Sequence, residues 1–308
     1  MKFLIIVPNE SYYLWQMIVQ INNFRKLGIE QDTYYLIGVR KGQSTSLLYT
    51  ITGSKELKSH FYIRKDNRIN VRYKASLKPY LVKHFLADNP EMQKEIFFYT
   101  DPDVIFTKKI DFKQFEKDDI WYLSDASSYL NSKYIKSKGE QLFIEMCEIV
   151  GIDPLLVEQN DDNAGGAQWI IKNNTVAMWD LIEMRSNQLF DYMKATETKY
   201  HPKSEEYPIQ SWTSEMWAML WIPWLMGIKT KIHPDLDFSM ATDKSDRLEE
   251  VSILHNTGVV TGKDGHFWKV AYQISPFKQD IPCSKESASY RYVEEIKDTE
   301  KNFPNIIF

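Results

Sequence analysis

Two short apolar runs split by a pair of carboxylates constrain this chain more than any other feature. In residues 96–111, IFFYTDPDVIFTKKID, the run Ile96, Phe97, Phe98, Tyr99 has the length and aromatic content of a buried strand, and Val104, Ile105 and Phe106 resume it. Asp101 and Asp103 fall between the runs. In extended backbone, residues two apart project to the same side, so the two carboxylates are expected to converge at a strand end. Such charges repel unless a cation sits between them, and oxygen ligands suit Mg²⁺ or Mn²⁺. Pro102 stiffens the pair by fixing φ. The competing reading is a plain turn between two strands, since Asp and Pro both mark turns.

The pattern around this stretch favours a ligand site. Residues 2–7 read as a first buried strand, residues 8–11 as a turn, and Ser11 as the cap of a helix ended by Gly28, with Tyr12, Trp15, Ile18, Val19, Asn22 and Phe24 near a 3.6-residue spacing. Residues 34–39 give a second strand, 46–58 a polar helix, 69–73 a short strand, and 75–87 the helix that feeds the acidic strand. Strands alternating with helices predict an α/β fold built on a sheet flanked by helices. Ligands of such sheets gather at the carboxyl ends of strands, where Asp101 and Asp103 lie.

Past the acidic pair, residues 120–123 read as a strand and 141–150 as a helix. The polar, glycine-rich segment 160–168 then leads into an apolar strand over 169–171. Gly165 and Gly166 there either let a ligand approach the backbone or permit positive φ. A helix carrying Trp179, Ile182, Leu189 and Met193 reads as core, and residues 194–208 as a charged, solvated connection. Residues 211–221 open a further helix with Ser211 or Thr213 as N-cap. Glu215 in its first turn either closes a capping box or, among Trp and Met side chains, is a poorly hydrated carboxylate suited to base chemistry. Residues 251–254 form a strand ending at His255-Asn256-Thr257-Gly258, followed by Lys263, His266 and Lys269, a set suited to a metal and a diphosphate. Residues 1–275 are expected to form one domain and residues 276–308 a polar tail packed on it.

Composition narrows the partners. With 308 residues and 43% hydrophobic content the chain can bury a large core. A net charge of -4 and a pI near 5.9 argue against attraction of the whole surface to phosphate backbones, and leave only a local basic track, for which Lys74, Lys78, Lys133, Lys136 and Lys138 are the candidates. Cys147 and Cys283 are far apart and make no Cys-x-x-Cys pattern, so a reduced, cytoplasmic protein without structural zinc is expected. The apolar start over residues 3–7 is too short for a signal sequence, and no stretch reaches the roughly 18 apolar residues of a membrane span.

Taken in order, these motifs resemble the metal-dependent glycosyltransferases of the GT-A fold that use nucleotide sugars. The segments DPDVIF, GGAQWI, WTSEMWAM and HNTG followed by GHFWK are most similar to the peptidyl hydroxyproline arabinosyltransferase and peptidyl serine galactosyltransferase group and to related phage-encoded transferases that decorate DNA with sugars. The HNTG pattern is similar, more distantly, to glycogenin-like retaining transferases, although Val-Val-Thr-Gly-Lys follows Gly258 in place of Lys-Pro-Trp. The resemblance covers about residues 2–269. It implies a mixed, Rossmann-like sheet and transfer of arabinose, glucose or galactose from a UDP-sugar, probed with Mn²⁺ or Mg²⁺ as cofactor. It further implies that Asp101, Asp103 and His255 hold the metal, that Asp101 also meets the donor ribose, and that Lys263, His266 and Lys269 grip the diphosphate near Gly258. Pro8, Asn9 and Glu10 would meet the nucleoside, and Gly165, Gly166 and Asp162 the donor sugar. Glu215, with Asp162, would act at the reacting centre, with retention of configuration and a macromolecular hydroxyl acceptor, either a hydroxymethylated DNA base or a hydroxylated protein side chain.

Two alternatives belong to other classes. Haloacid-dehalogenase-type phosphatases also carry Asp-x-Asp after an apolar strand, but normally after the first strand of the domain, whereas at least three precede it here, and residue 105 is Ile where that family has Thr or Val. The second alternative is a noncatalytic module that binds nucleotide sugars without turnover.

Overall fold

The computed structural model describes residues 1–69, 71–201 and 207–306. In chain order the first half contains β1 (Lys2–Pro8), α1 (Ser11–Lys26), β2 (Thr33–Val39), α2 (Ser46–Thr52), β3 (His60–Lys65), α3 (Leu77–Asp88), β4 (Phe97–Thr100), β5 (Val104–Phe106), β6 (Trp121–Asp125), α4 (Ser127–Leu130), α5 (Ser132–Lys138) and α6 (Glu140–Val150). There follow α7 (Pro154–Gln159), β7 (Gly165–Ile171), α8 (Val176–Thr196), α9 (Ser214–Leu225), β8 (Thr230–Ile232), β9 (Phe238–Met240), α10 (Arg247–Glu250), β10 (Ile253–His255) and α11 (Ser289–Asn302). The α/β class expected from the alternation is the one adopted. A seven-stranded mixed sheet has the order β3-β2-β1-β4-β7-β6-β8, and a three-stranded sheet the order β5-β10-β9.

The chain divides into two compact units. The first comprises residues 1–66, 99–112 and 235–308, and the second residues 67–98 and 113–234. In the first, β1, β2 and β3 pair in parallel, while β10 pairs antiparallel with β5 and parallel with β9. Its core gathers Trp15 and Val19 of α1, Ile105, Leu254, Phe267 and Phe277 with Tyr292, Val293 and Ile296 of α11. These apolar residues recur at i, i+1 and i+4 in an otherwise charged segment, which is the stripe of a surface helix. The sequence reading places no helix after Pro276, because the charges of YRYVEEIKDTEKN outnumber the narrow stripe.

In the second unit β6 pairs antiparallel with β7 and parallel with β8. The helix α9 is buried on every side from Ser214 to Trp224, and the uninterrupted apolar run from Met216 onward accounts for most of it. The indole of Trp217 donates to the Leu130 carbonyl at 3.0 Å and that of Trp224 to Thr230 Oγ1 at 2.8 Å, so two of its three tryptophans have partners for their polar edge.

Several local expectations are corrected. Ser11 is the first residue of α1, not its cap, and Glu10 at the cap position makes no side-chain capping bond. The helix expected over 46–58 stops at Thr52, where Gly53 follows. The strand of this region is β3 and not residues 69–73, whose described members lie in bends and coil, with Asn70 outside the described residues. Half-exposed side chains along HFYIRK, with Arg and Lys at its end, make an edge strand without a buried face to mark it. The strand expected to begin at Trp169 begins at Gly165. Of the connection expected over 194–208, residues 194–196 complete α8, and 202–206 lie outside the described residues. Finally, His255 is the last residue of its strand and does not lie beyond it.

Candidate metal and donor site

The segment 101–103 is a turn between two strands that belong to different sheets. Asp101 and Asp103 therefore do not converge through strand alternation, as the spacing suggested. They are brought together because Pro102 fixes the corner and the Val104 N–H closes it on the Asp101 carbonyl at 3.4 Å. The segment is the plain turn, and the turn is the means by which the two carboxylates are brought together.

His255 arrives from the antiparallel neighbour. In the β5–β10 register it stands opposite Val104, and the Asn256 N–H donates to the Asp103 carbonyl at 3.0 Å. His255 Nε2 lies 3.3 Å from Asp103 Oδ1 and 3.9 Å from Asp101 Oδ2. One ligand atom from each of the three residues lies within 4.8 Å of the others. Ligand atoms about 2.1 Å from an octahedral cation stand about 3.0 Å apart when adjacent and about 4.2 Å apart when opposite, and both His255 separations fall between these limits. The donor set, two carboxylates and an imidazole, fits Mn²⁺ or Mg²⁺. Two further observations agree with an additional polar group here: the side-chain amide of Asn256 and the hydroxyl of Thr100, chain neighbours of His255 and Asp101, are buried without a protein partner.

Electrostatics at the turn are dominated by one contact. Lys269, from a short helical turn over Lys269–Ala271, forms an ion pair with Asp103 Oδ2. Burial of Asp103 pushes its carboxyl up, but the Lys269 ammonium and His255 together outweigh burial and hold it well below the usual carboxylate range. Asp103 is thus anionic throughout the neutral range. Tyr12 and Tyr13, in the first turn of α1, feel the same charges. Burial, and then the charge of Asp103, pushes the Tyr12 hydroxyl up to about 12, and burial with Glu10, Tyr12 and Asp101 does the same for Tyr13. The sequence reading gives Tyr12 only a place in the helical spacing and does not single out Tyr13. Their rings meet edge to face at 4.9 Å.

The other residues expected in this unit have defined places. Pro8 ends β1 opposite Gly38, Asn9 donates its side-chain amide to the Ser44 carbonyl at 3.0 Å, and Glu10 precedes α1. Gly258 has φ +90°, a conformation that explains glycine by itself. Lys263 is exposed in a short turn over Gly262–Asp264, and His266 meets Ser287 Oγ through Nδ1 at 2.8 Å. Of the three basic residues assigned to the diphosphate, Lys269 is the one bonded to the acidic pair.

The second unit holds the remaining candidates. Glu215 is 3% exposed, and its carboxylate lies 3.8 Å from the Lys78 ammonium. Its N–H donates to Tyr73 Oη at 2.7 Å, and the Tyr73 hydroxyl donates to the Trp212 carbonyl at 2.8 Å, so Tyr73 serves the helix start in place of a capping side chain. Thr213 at the cap position makes no capping bond, which removes the capping-box reading of Glu215. Burial, and then the charge of Glu215, pushes the Tyr73 hydroxyl well above its ordinary value. Asp162 is exposed, whereas its neighbour Asp161 is engaged by the Ser132 N–H and hydroxyl at 2.8 and 2.6 Å.

Gly165 and Gly166 lie within β7 outside the left-handed region, so neither is required for a positive-φ turn. What they avoid is collision. A Cβ on Gly165 would stand 2.5 Å from Leu123 Cβ and from the Ser124 carbonyl oxygen, and one on Gly166 would stand 2.3 Å from the terminal methyl of Met216. Backbone cannot yield as a methionine end can. Gly165→Ala is therefore expected to cost about 1–3 kcal/mol of unfolding free energy and Gly166→Ala distinctly less, measured by urea titration. Equal losses would remove the packing explanation. Beside them the β6–β7 register slips between Leu123 and Ser124, and Ala167 takes φ +63°, a strained conformation for alanine.

The basic track considered for a nucleic-acid acceptor is largely committed elsewhere. Lys136 pairs with Glu140 and Glu158, Lys138 is buried and donates to the Tyr207 carbonyl at 3.1 Å, and Lys78 faces Glu215. Both cysteines are free. Among the described residues no helix is long and apolar enough to cross a membrane.

No protein-family model matches the chain, and no curated protein matches it by sequence. Among solved structures it is similar to the galactosyltransferase LgtC in complex with donor and acceptor sugar analogues, at TM-score 0.48 and 10% identity over 96% of each chain. It is similar to the glycosyltransferase GlyE of Streptococcus pneumoniae TIGR4 at TM-score 0.46 and 10% identity, over 100% of this chain and 65% of that one. A third similarity, to apo mouse xyloside xylosyltransferase 1, has TM-score 0.43 and 9% identity over 84% and 99% of the two chains. Likenesses this distant leave the functional reading to the residues themselves.

Proposed function

We propose that this chain is a metal-dependent glycosyltransferase of the GT-A type that moves a sugar from a UDP-sugar to a hydroxyl acceptor. The observation that carries the reading is the convergence of Asp101, Asp103 and His255 on one point, with Lys269 bonded to Asp103. Asp101, Asp103 and His255 would hold Mn²⁺ or Mg²⁺. Such an ion, when bound, offsets charge on a departing diphosphate. Lys269 supplies an ammonium at the same place, suited to a diphosphate oxygen. Pro8, Asn9, Glu10 and the two tyrosines beside the acidic pair frame the nucleoside, and Gly165, Gly166 and Asp162 the donor sugar. Glu215, buried and anchored by Tyr73, orients or deprotonates the acceptor, or shields positive charge at the anomeric carbon; resemblance to retaining transferases favours the latter. A hydroxyl on a macromolecule, a modified DNA base or a protein side chain, is the acceptor class the resemblance supports, and the commitment of Lys136 and Lys138 shifts weight toward protein.

Release of UDP from a panel of UDP-sugars in the presence of Mn²⁺ tests the activity, with hydroxymethylated DNA and hydroxylated peptide as the two acceptors. Slow release without acceptor, accelerated by one of them and stopped by chelator, is the expected result. Tight UDP-sugar binding with no turnover on any acceptor would return the chain to a noncatalytic binding module, and release of inorganic phosphate from phosphomonoesters would favour the phosphatase alternative.

A further inference from the structure

The helix α1 is apolar in outline yet buries four amide side chains, Gln16, Gln20, Asn22 and Asn23; Gln20 holds the acidic turn and Asn23 the strand β5 that follows it. One amide nitrogen, Gln20 Nε2, donates to both the Asp101 and the Val104 carbonyls at 2.9 Å, tying together the two ends of the turn that carries Asp101 and Asp103. Gln20 is itself fixed by the Tyr35 hydroxyl, which donates to its Oε1 at 3.1 Å. One turn further along, Asn23 accepts from the Phe106 N–H at 2.8 Å and donates to the Phe106 carbonyl at 3.0 Å. That pair of bonds replaces the neighbour that β5, an edge strand of its sheet, lacks on this side.

A buried charge stands behind these amides. Glu295 of α11 is fully buried; it accepts from Asn22 Nδ2 at 2.7 Å and Asn23 Nδ2 at 3.4 Å, and pairs with Lys26 at 2.7 Å. A carboxylate is kept inside a protein only where donors surround it, and once there it fixes their orientation. Asn23, with its oxygen committed to the Phe106 N–H, must direct its NH₂ toward Phe106 and Glu295, so its amide cannot flip.

We propose that Gln20 and Asn23 are positioning residues for the Asp101/Asp103 pair, Gln20 held by Tyr35 and Asn23 by Glu295, so that the C-terminal helix α11 contributes through Asn23 to the geometry of the cation site. This rests on the metal reading given above. Partners behind metal ligands are worth about 10–100-fold in metal affinity. Gln20→Met, which keeps length and apolar bulk, is expected to raise the Kd for Mn²⁺ about tenfold, measured by titration of the whole chain with MnCl₂ followed by electron paramagnetic resonance. Gln20→Glu, which keeps the acceptor for Tyr35 but loses the donor, is expected to match it, and Glu295→Gln to show a smaller loss in the same direction. Ile182→Val in α8 serves as the comparison, with a lower Tm and an unchanged Kd for Mn²⁺. Should Gln20→Met fail to fold, Tyr35→Phe carries the test, with an expected loss of about threefold. A fall in Tm with Mn²⁺ affinity unchanged in the Gln20 or Tyr35 variants would overturn the inference while leaving the metal site in place. Absence of Mn²⁺ binding by the unmodified chain would overturn the metal reading, and this inference with it.

Discussion

Asp103→Asn is expected to remove the metal-dependent part of nucleotide binding and to lower UDP-sugar turnover by at least about 10²-fold. The unmodified chain should be stabilised by UDP and Mn²⁺ together by more than the sum of their separate shifts in Tm, because a carboxylate pair accepts a diphosphate only after its charge is offset. Asp103 is 4% exposed, its carboxylate touches both His255 and Lys269, and its backbone carbonyl accepts the Asn256 N–H. The asparagine keeps size and backbone bonding but removes the charge. What remains is UDP binding without synergy, insensitive to chelator. A variant that retained the synergy would take Asp103 off the ligand set.

The second large effect concerns Glu215. Glu215→Gln is expected to lower turnover about 10²-fold or more while leaving the binding of UDP and Mn²⁺ largely intact. Glu215 is 3% exposed and faces Lys78 at 3.8 Å, and because the helix start is already served by Tyr73, helix capping does not account for a carboxylate buried there. The glutamine keeps shape and hydrogen-bonding capacity, so a purely structural role would show in Tm and leave turnover nearly normal. That outcome would return Glu215 to a packing role and direct attention to Asp162, which is exposed, since Asp161 is held by Ser132.

How much of this was legible in the sequence follows from the range of each signal. Buried strands announce themselves locally, and β1, β2 and β4 were placed within about two residues of their ends, because KFLIIVP, TYYLIGV and FFYT each concentrate apolar residues. The acidic pair and His255 were found because side chains that bind cations are few and their spacing is tight. The manner of their meeting was not, since Asp-Pro-Asp supports extended and turn backbone equally well and only the change of sheet at Val104 selects the turn. The edge strand β3 and the helix α11 were missed because charges dominate both segments. Least visible were the amides of α1: Gln20 and Asn23 meet backbone groups more than 80 positions away, and nothing local distinguishes a buried glutamine that holds a turn from an exposed one. The run INNF inside an apolar helix was the available sign, because adjacent amides at buried positions need partners from elsewhere in the chain.

In the proposed function Asp101, Asp103 and His255 share one divalent cation. Crystals grown with MnCl₂ and UDP, measured near the manganese absorption edge, test it directly. The expected result is one anomalous peak about 2 Å from a carboxylate oxygen of each aspartate and from His255 Nε2, with the diphosphate completing the ion and Lys269 moved from Asp103 to a phosphate oxygen. UDP bound with no anomalous peak at these three residues, and with Lys269 still on Asp103, would contradict it.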